Sequence, residues 1–352
     1  MPLSTAEHFK RAAIFVAVVL VPVLIWYLFD VVLVAMGAIL VAMLLSLGAE
    51  PFRKWLRFPR AIALLASGLV ITCAVGAAGY LTAMQAAQLQ DILQRTQQAI
   101  DSIRTALQGS DFGKLILPYV QGDHFTLTGI VTGVFRVSLT FLTALVISVF
   151  GGMYLAAEVD VYRDGMIQLL PDRLRANGAE TLADITNALR LWMLGQMIGM
   201  LLVGLMTALA TWLIGLPSPM SLGAIAGVFE FIPYVGPVLG SIPGVLVAIT
   251  QSPKAVMWTI GAYVLIQQVE GHLIAPLISR EMVYIPPLVL ILGIVAITTL
   301  FGLHAAIFAA PIAVIIFVAV KKLYVRDSLG DATPIPGEEN CRNPPRAPPV
   351  RR

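Results

Sequence analysis

The sequence predicts an all-α polytopic membrane protein with about eight hydrophobic helical segments, including one or two broken re-entrant hairpins. Of its 352 residues, 58% are hydrophobic and only 12% are charged, whereas a soluble domain carries about 25% charged residues. The apolar residues also form long runs in which leucine, valine, isoleucine and alanine dominate. Such runs cross bilayers as helices, because a helix satisfies its own backbone hydrogen bonds in lipid.

Residues 1–60 predict a transmembrane hairpin followed by a cytoplasmic basic loop. Apolar runs at 12–29 and 31–49 are separated by the single charge of Asp30, so a tight turn joins them. No small-residue cleavage pattern follows the first run, which favours an uncleaved helix over a signal peptide. The stretch EPFRKWLRFPR then holds four basic residues. Basic loops stay on the cytoplasmic side, so both chain termini are expected there.

Residues 61–187 are predicted to contain the third and fourth spans and two polar segments. The third apolar run, 61–84, leads outward. Segment 85–128 carries apolar residues at helical spacing, which predicts an external amphipathic helix, with substrate gating as the alternative interpretation. The fourth run, 130–157, returns inward, and the charged segment 158–187 is expected in the cytoplasm.

The predicted transport core covers residues 188–326 and contains two broken segments. The first, 219–250, is interrupted by PYVGP, and each half is too short for a hydrocarbon core of about 30 Å. A re-entrant hairpin that turns between Pro233 and Pro237 therefore fits better than two spans. Proline removes a helix hydrogen-bond donor, and glycine permits a turn. In the run before it, Gly195 and Gly199 form a GxxxG pair, which predicts close helix packing.

The second broken segment covers residues 285–320, after a predicted full span at 255–278. It is interrupted near FGLHA and by Pro311, so it is either a second hairpin or two short spans. Paired Gly/Pro-broken segments in the second half of a transporter indicate its substrate site. The proline-rich tail, 327–352, has no apolar run and is expected to be disordered.

Acidic residues inside apolar runs are the main functional candidates, because a charge at membrane depth is costly. Glu230 and Glu270 are the two such acids in the second half, and Gln267 shares a helical face with Glu270. The structural alternative is that each acid binds free N–H groups of a hairpin or pairs with a basic residue. The predicted substrate or ion pathway comprises Glu230, Pro233, Tyr234, Gly236, Pro237, Gln267, Glu270, His272, Pro276, Gly302 and His304.

The two histidines of this pathway, His272 and His304, have two interpretations. Each can donate to a helix carbonyl, or take part in proton-linked transport because histidine titrates near neutral pH. No GxxxxGK[ST], HExxH or GxSxG motif occurs, so the sequence predicts no ATP site, no metal, no cofactor and no enzymatic activity. The small net charge of +3 does not indicate a nucleic-acid partner.

Four stretches together resemble the autoinducer-2 exporter family of bacterial permeases: FIPYVGPVLGSIPGVLVAI, QQVEGHLIAPLI, PPLVLILGIVA and LFGLHAAIFAAPIAVII. The resemblance covers most of the chain and is most specific at 190–322. Two positions depart from the family pattern: His272 replaces a polar, asparagine-like residue, and Ala305 replaces a glycine. The resemblance implies a multi-pass protein of the bacterial inner membrane, an exporter of small polar solutes and a homo-oligomer.

The sequence supports three functional hypotheses. In the first, a secondary transporter holds a small polar solute near the midplane of the lipid bilayer, and Glu230 and Glu270 shape the site or bind a coupling H⁺ or Na⁺. In the second, a passive channel uses PYVGP as its constriction, and cannot accumulate solute against a gradient. In the third, a membrane scaffold binds a partner through segment 158–186.

Overall fold

The computed structural model describes residues 26–73, 76–77, 80, 146–274, 276, 286–302, 305–330 and 335. Every regular element among these residues is a helix, which confirms the predicted all-α class. The helices are α1 Phe29–Trp55, α2 Arg60–Cys73, α3 Val146–Ala157, α4 Val159–Gln168, α5 Asp172–Ile214, α6 Pro219–Phe229, α7 Gly236–Ile249, α8 Pro253–Val269, α9 Pro287–Phe301 and α10 Ala306–Ala319. The predicted amphipathic segment 85–128 and His304 lie outside the described residues.

Three of the described helices are long and apolar enough to cross a membrane: α1, α5 and the stretch Ala306–Arg326. The last comprises α10 and a π-helical end, Val320–Arg326. Helix α5 has 43 residues, so it is about 64 Å long at the helical rise, against a hydrocarbon core of about 30 Å. Its first turns therefore project beyond the apolar layer and carry part of the charged segment 158–187.

Helix α1 extends further than the apolar run that predicts it. It continues through Pro51 to Trp55, so Arg53 and Lys54 lie in its last turn and not in the expected loop. Cationic side chains near a helix C-terminus are stabilised by the helix dipole, which is the physical reason for the extension.

Small residues bring α1 close to its neighbours. A Cβ added at Gly37 of α1 would overlap the side chain of Ser148 on α3. The Ser148 hydroxyl in turn donates to the carbonyl of Val34 at 3.2 Å. On the same helix, Gly48 lies against Ser67 of α2. Contacts between small residues and short polar side chains are typical of helix packing in membranes.

Glycine also determines how α5 packs against α6. A Cβ on Gly223 of α6 would lie 2.7 Å from the Cβ of Ala208, and one on Gly227 would lie 2.7 Å from the carbonyl oxygen of Met200. Gly204 of α5 faces both of these glycines. Of the predicted packing pair Gly195 and Gly199, the second has no close neighbour among the described residues, because a Cβ on Gly199 would meet none of their atoms within 4 Å.

Within the broken run 285–320, the structure describes two helices, α9 and α10, which contact each other. The chain turns at Gly302, whose φ of 91° suits glycine. Phe301, just before this turn, stacks on Phe29 of α1. The expected break at Pro311 is wrong: this buried proline lies inside α10, which continues past it. Pro311 is buried, like most of the alanines and valines of α10, and burial of apolar surface offsets part of the cost of the lost helix hydrogen bond.

Candidate functional site

The turn between α6 and α7 follows directly from its prolines and glycines. Helix α6 ends at Phe229 and α7 begins at Gly236, so the helix is interrupted over residues 230–235, which include Pro233. Pro233 has no N–H to continue a helix, whereas Pro237 occupies the first turn of α7, where a missing N–H costs little. Between them, Tyr234 has a φ of 66°, a conformation that L-residues rarely adopt.

Two glycines allow α7 to leave this turn close to α6. A Cβ on Gly236 would overlap the carbonyl group of Phe229. One on Gly240 would lie 3.0 Å from the Cα of Ala226. The predicted pathway residues Pro233, Gly236 and Pro237 therefore shape the backbone of the turn.

Glu230 begins the turn and is buried, with 5% of its surface exposed. Its backbone N–H continues the α6 pattern by donating to Ala226 at 3.0 Å. The side chain of Gln267 on α8 lies close enough to interact with its carboxyl group. The second carboxylate oxygen, Oε2, has no hydrogen-bond partner within the described part of the chain. A buried carboxylate oxygen without a donor is costly, so this atom is an open acceptor position.

The structure brings the second predicted acid to the same place. Glu270 lies close enough to Glu230 for their carboxylates to interact electrostatically, and it interacts in the same way with Tyr234. Tyr234 is half-exposed at the edge of the pair. Two adjacent carboxylates repel each other when both are charged, so a proton or a bound cation would stabilise the pair. Residues from α8 and the α6–α7 turn thus form one acidic site.

Glu270 also begins a π-helical segment, Glu270–Ile274, that continues α8. Gly271 directly follows Glu270 within this segment. Wider turns of this kind occur often at functional sites. Within it, the Nδ1 atom of His272 lies 3.1 Å from the backbone carbonyl of Gln268. This contact with a carbonyl one turn earlier is the one expected if His272 has a structural role.

Two further predicted pathway residues, Gly302 and Pro276, lie outside the α6–α7 turn. Gly302 forms the α9–α10 turn beside Phe301 and Phe29. Pro276 is helical and exposed just beyond the π-helical segment. Among the residues that the structure describes, no three His, Cys, Asp or Glu side chains come together as a metal site would require.

Helix α5 contributes two residues that the sequence analysis missed. The Gln196 side chain donates to the backbone carbonyl of Glu230, and the Trp192 ring meets Phe231 edge-on, with centroids 5.9 Å apart. Gln196 is a polar residue among mostly apolar neighbours, and this pattern could have identified it from the sequence. Both contacts attach the turn to the longest described helix.

Comparison with known proteins identifies the family. A family model described as AI-2E family transporter matches residues 13–325. The chain belongs to the AI-2E transporter family. This match confirms the predicted resemblance, and it includes both α8 and the α6–α7 turn. Membership of the AI-2E family supports a role in membrane transport.

Three relatives illustrate how far the similarity extends. The "Putative transport protein YrrI" of Bacillus subtilis (strain 168) is 32% identical over 186 residues, 53% of this chain and 52% of the relative. The "Putative transport protein YueF" of the same strain is 29% identical over 195 residues, 55% of this chain and 53% of the relative. The chain thus matches about half the length of each. The "Putative transport protein MT0215" of Mycobacterium tuberculosis (strain CDC 1551 / Oshkosh) is 25% identical over 314 residues, 82% of each chain.

Proposed function

We propose that this protein is a secondary transporter that exports small polar solutes of the autoinducer-2 type. In this proposal, Glu230 and Glu270 bind the solute or a coupling ion. The main support for this proposal is the buried Glu230 carboxylate, whose Oε2 atom has no hydrogen-bond donor within the described part of the chain. A solute hydroxyl, a proton or a cation would each supply what that oxygen lacks.

The arrangement of α6 and α7 supports placing this site within the membrane. With 11 and 14 residues, they are about 16 and 21 Å long, shorter than a hydrocarbon core of about 30 Å. We therefore infer a re-entrant hairpin whose turn lies at depth. Irregular backbone at depth is tolerated only against protein or a water-filled cavity. The contact of Gln196 with the Glu230 carbonyl is of this kind.

The acidic pair also supports coupling to an ion gradient. A single Glu230 carboxylate could be satisfied by hydrogen bonds alone, whereas two carboxylates favour binding of a positive charge. Proton or sodium binding would offset their repulsion and alter their hydrogen bonding to a solute. Location in the bacterial inner membrane with cytoplasmic termini rests on the basic residues that follow the second apolar run. Homo-oligomerisation stays a prediction from the family resemblance.

Solute flux in proteoliposomes tests this function. Autoinducer-2 and other small polar solutes are supplied under an imposed proton or sodium gradient, to wild type, Glu230→Gln and Glu270→Gln. Glu158→Gln is the matched control, because Glu158 is exposed before α4. We expect gradient-driven accumulation to fall by about tenfold or more in the site variants, since each loses one charged contact. The control should retain the wild-type rate.

Two results would contradict the proposal. Wild-type accumulation in both site variants would remove Glu230 and Glu270 from the transport site. Flux that only equilibrates, whichever gradient is imposed, would favour the passive channel. Inverted membrane vesicles test direction, because an exporter accumulates its solute in them.

A further inference from the structure

A basic cavity of about 610 Å³ lies at the C-terminal end of α1, separate from the acidic site. Four cationic side chains, one carboxylate and one aromatic ring line it: Arg53, Lys54, Arg57, Arg190, Glu50 and Phe58. Its volume is within the range of small-molecule sites, about 300–1,000 Å³. The proposed transport function makes no use of this cavity.

The tertiary structure, and not the basic stretch alone, builds this cavity. Arg190 comes from α5 and forms an ion pair with Glu50 of α1. The Lys54 ammonium also lies 3.9 Å from the Glu50 carboxylate. The single carboxylate of the cavity is therefore already engaged. Neither Arg53 nor Arg57 has an ion-pair partner in the part of the chain that the structure describes, so positive charge remains uncompensated there.

The backbone at Arg57 adds an independent observation. Its φ of 53° lies in the left-handed region, directly after α1. Glycine is the usual residue at such a helix end, because a side chain there is strained. Arg57 lines the cavity despite this strain. A residue that departs from the local conformational rule often indicates a functional site.

The residues around the cavity are of the kinds found at the border between lipid and water. Trp55, in the last turn of α1, is 86% exposed, and Leu56 is also exposed. Tryptophan and basic residues are both enriched at the membrane–water interface. Basic clusters immediately cytoplasmic of a membrane helix attract anionic lipids. At such a border, the cavity would open toward phosphate headgroups.

We propose that this cavity binds a phosphate group, from either the headgroup of an anionic phospholipid or a soluble phosphate compound. Arg53 and Arg57 supply planar guanidinium groups, which match phosphate oxygens with two parallel hydrogen bonds. Lys54 and Arg190 add positive charge to the lining, and their shared partner Glu50 offsets part of it. Phe58 provides an apolar wall for a glycerol or acyl portion.

Calorimetric titration of the purified full chain in a non-ionic detergent tests the proposal. The probes are short-chain phosphatidylglycerol, short-chain phosphatidylcholine and inorganic phosphate at constant ionic strength. The variant Arg53→Gln/Arg57→Gln is compared with Arg163→Gln/Arg175→Gln, which removes the same charge from exposed pairs with Asp160, Asp164 and Asp172. We expect the cavity variant to lose about tenfold or more in affinity for phosphatidylglycerol or inorganic phosphate, and the control variant to match wild type.

The two sources give different patterns. Saturable binding of phosphatidylglycerol without inorganic phosphate supports a lipid headgroup, whereas binding of both supports a soluble phosphate compound. The proposal is overturned if the cavity and control variants lose equal affinity. It is also overturned if wild type binds neither phosphatidylglycerol nor inorganic phosphate saturably. Glu50→Gln provides a second test that does not depend on removing cations. It should raise affinity by releasing Arg190 and Lys54, and an unchanged or lower affinity counts against the site.

Discussion

The side-chain amide of Gln196 donates a 2.6 Å hydrogen bond to the backbone carbonyl of Glu230. This bond joins the longest described helix, α5, to the turn that holds the acidic site. The carbonyl lies where α6 stops, so it would otherwise lack a helical partner. The position of the Glu230 carboxylate therefore depends on a residue that is 34 positions away in the chain.

Replacing Gln196 by leucine should loosen this turn. Gln196→Leu leaves the Glu230 carbonyl unsatisfied, so we expect a loss of about 1–3 kcal/mol in stability and a lower transport rate. Thermal unfolding in detergent and proteoliposome flux measure the two effects. Met197→Leu, at the exposed neighbouring position, introduces the same residue and should behave as wild type. Equal stability of the two variants would show that the hydrogen bond contributes nothing.

Replacing Tyr234 by glycine should separate stability from function. The φ of 66° at Tyr234 is strained for tyrosine but suits glycine, so Tyr234→Gly should stabilise the protein by about 1 kcal/mol. Transport should fall, because the ring beside Glu270 is lost. Tyr234→Phe keeps both ring and strain, and should show no gain in unfolding temperature. A destabilised glycine variant would contradict the strain argument.

Adding a methyl group to two glycines should have opposite effects. Gly227→Ala places a Cβ 2.7 Å from the Met200 carbonyl, so it should destabilise the α5–α6 contact by about 1–3 kcal/mol. At Gly199, inside α5, an added Cβ meets nothing within 4 Å in the described part of the chain, so Gly199→Ala should stabilise the helix by about 0.5–1 kcal/mol. Unfolding temperatures in detergent compare the two. If both substitutions shift the unfolding temperature in the same direction, the assigned packing is wrong.

Removing a carboxylate that pairs with buried Lys322 should lower the free energy of unfolding more than removing one from an exposed pair. The Lys322 ammonium is 3.1 Å from Glu180 Oε2 and 3.7 Å from Asp327. The first of these pairs joins α5 to the π-helical segment that follows α10. Glu180→Gln leaves a buried cation partly paired, and should cost about 1–2 kcal/mol after allowance for the exposure of Glu180. Asp172→Asn breaks the exposed pair with Arg175 and should cost less than about 0.5 kcal/mol. Chemical denaturation that shows equal losses would contradict this difference.

Local chemistry made several features predictable from the sequence. Apolar runs require helices in lipid, so composition determines the all-α class. The break between α6 and α7 follows from Pro233 and Pro237, because a missing N–H acts on its own chain segment. The two acids were recognised because charge in an apolar run is costly wherever the helix packs.

Contacts between helices were decided only by the tertiary structure. Gln196 meets Glu230, and Arg190 meets Glu50, through the rotation and position of α5, which no local pattern specifies. For the same reason, among the described residues, Gly227 and not Gly199 makes the close helix contact. Pro311 remains inside α10, where burial offsets part of the cost of its lost hydrogen bond. The sequence by itself determined which residues are costly in a membrane, and the tertiary structure decided which partners stabilise them, because each partner lies on a different helix.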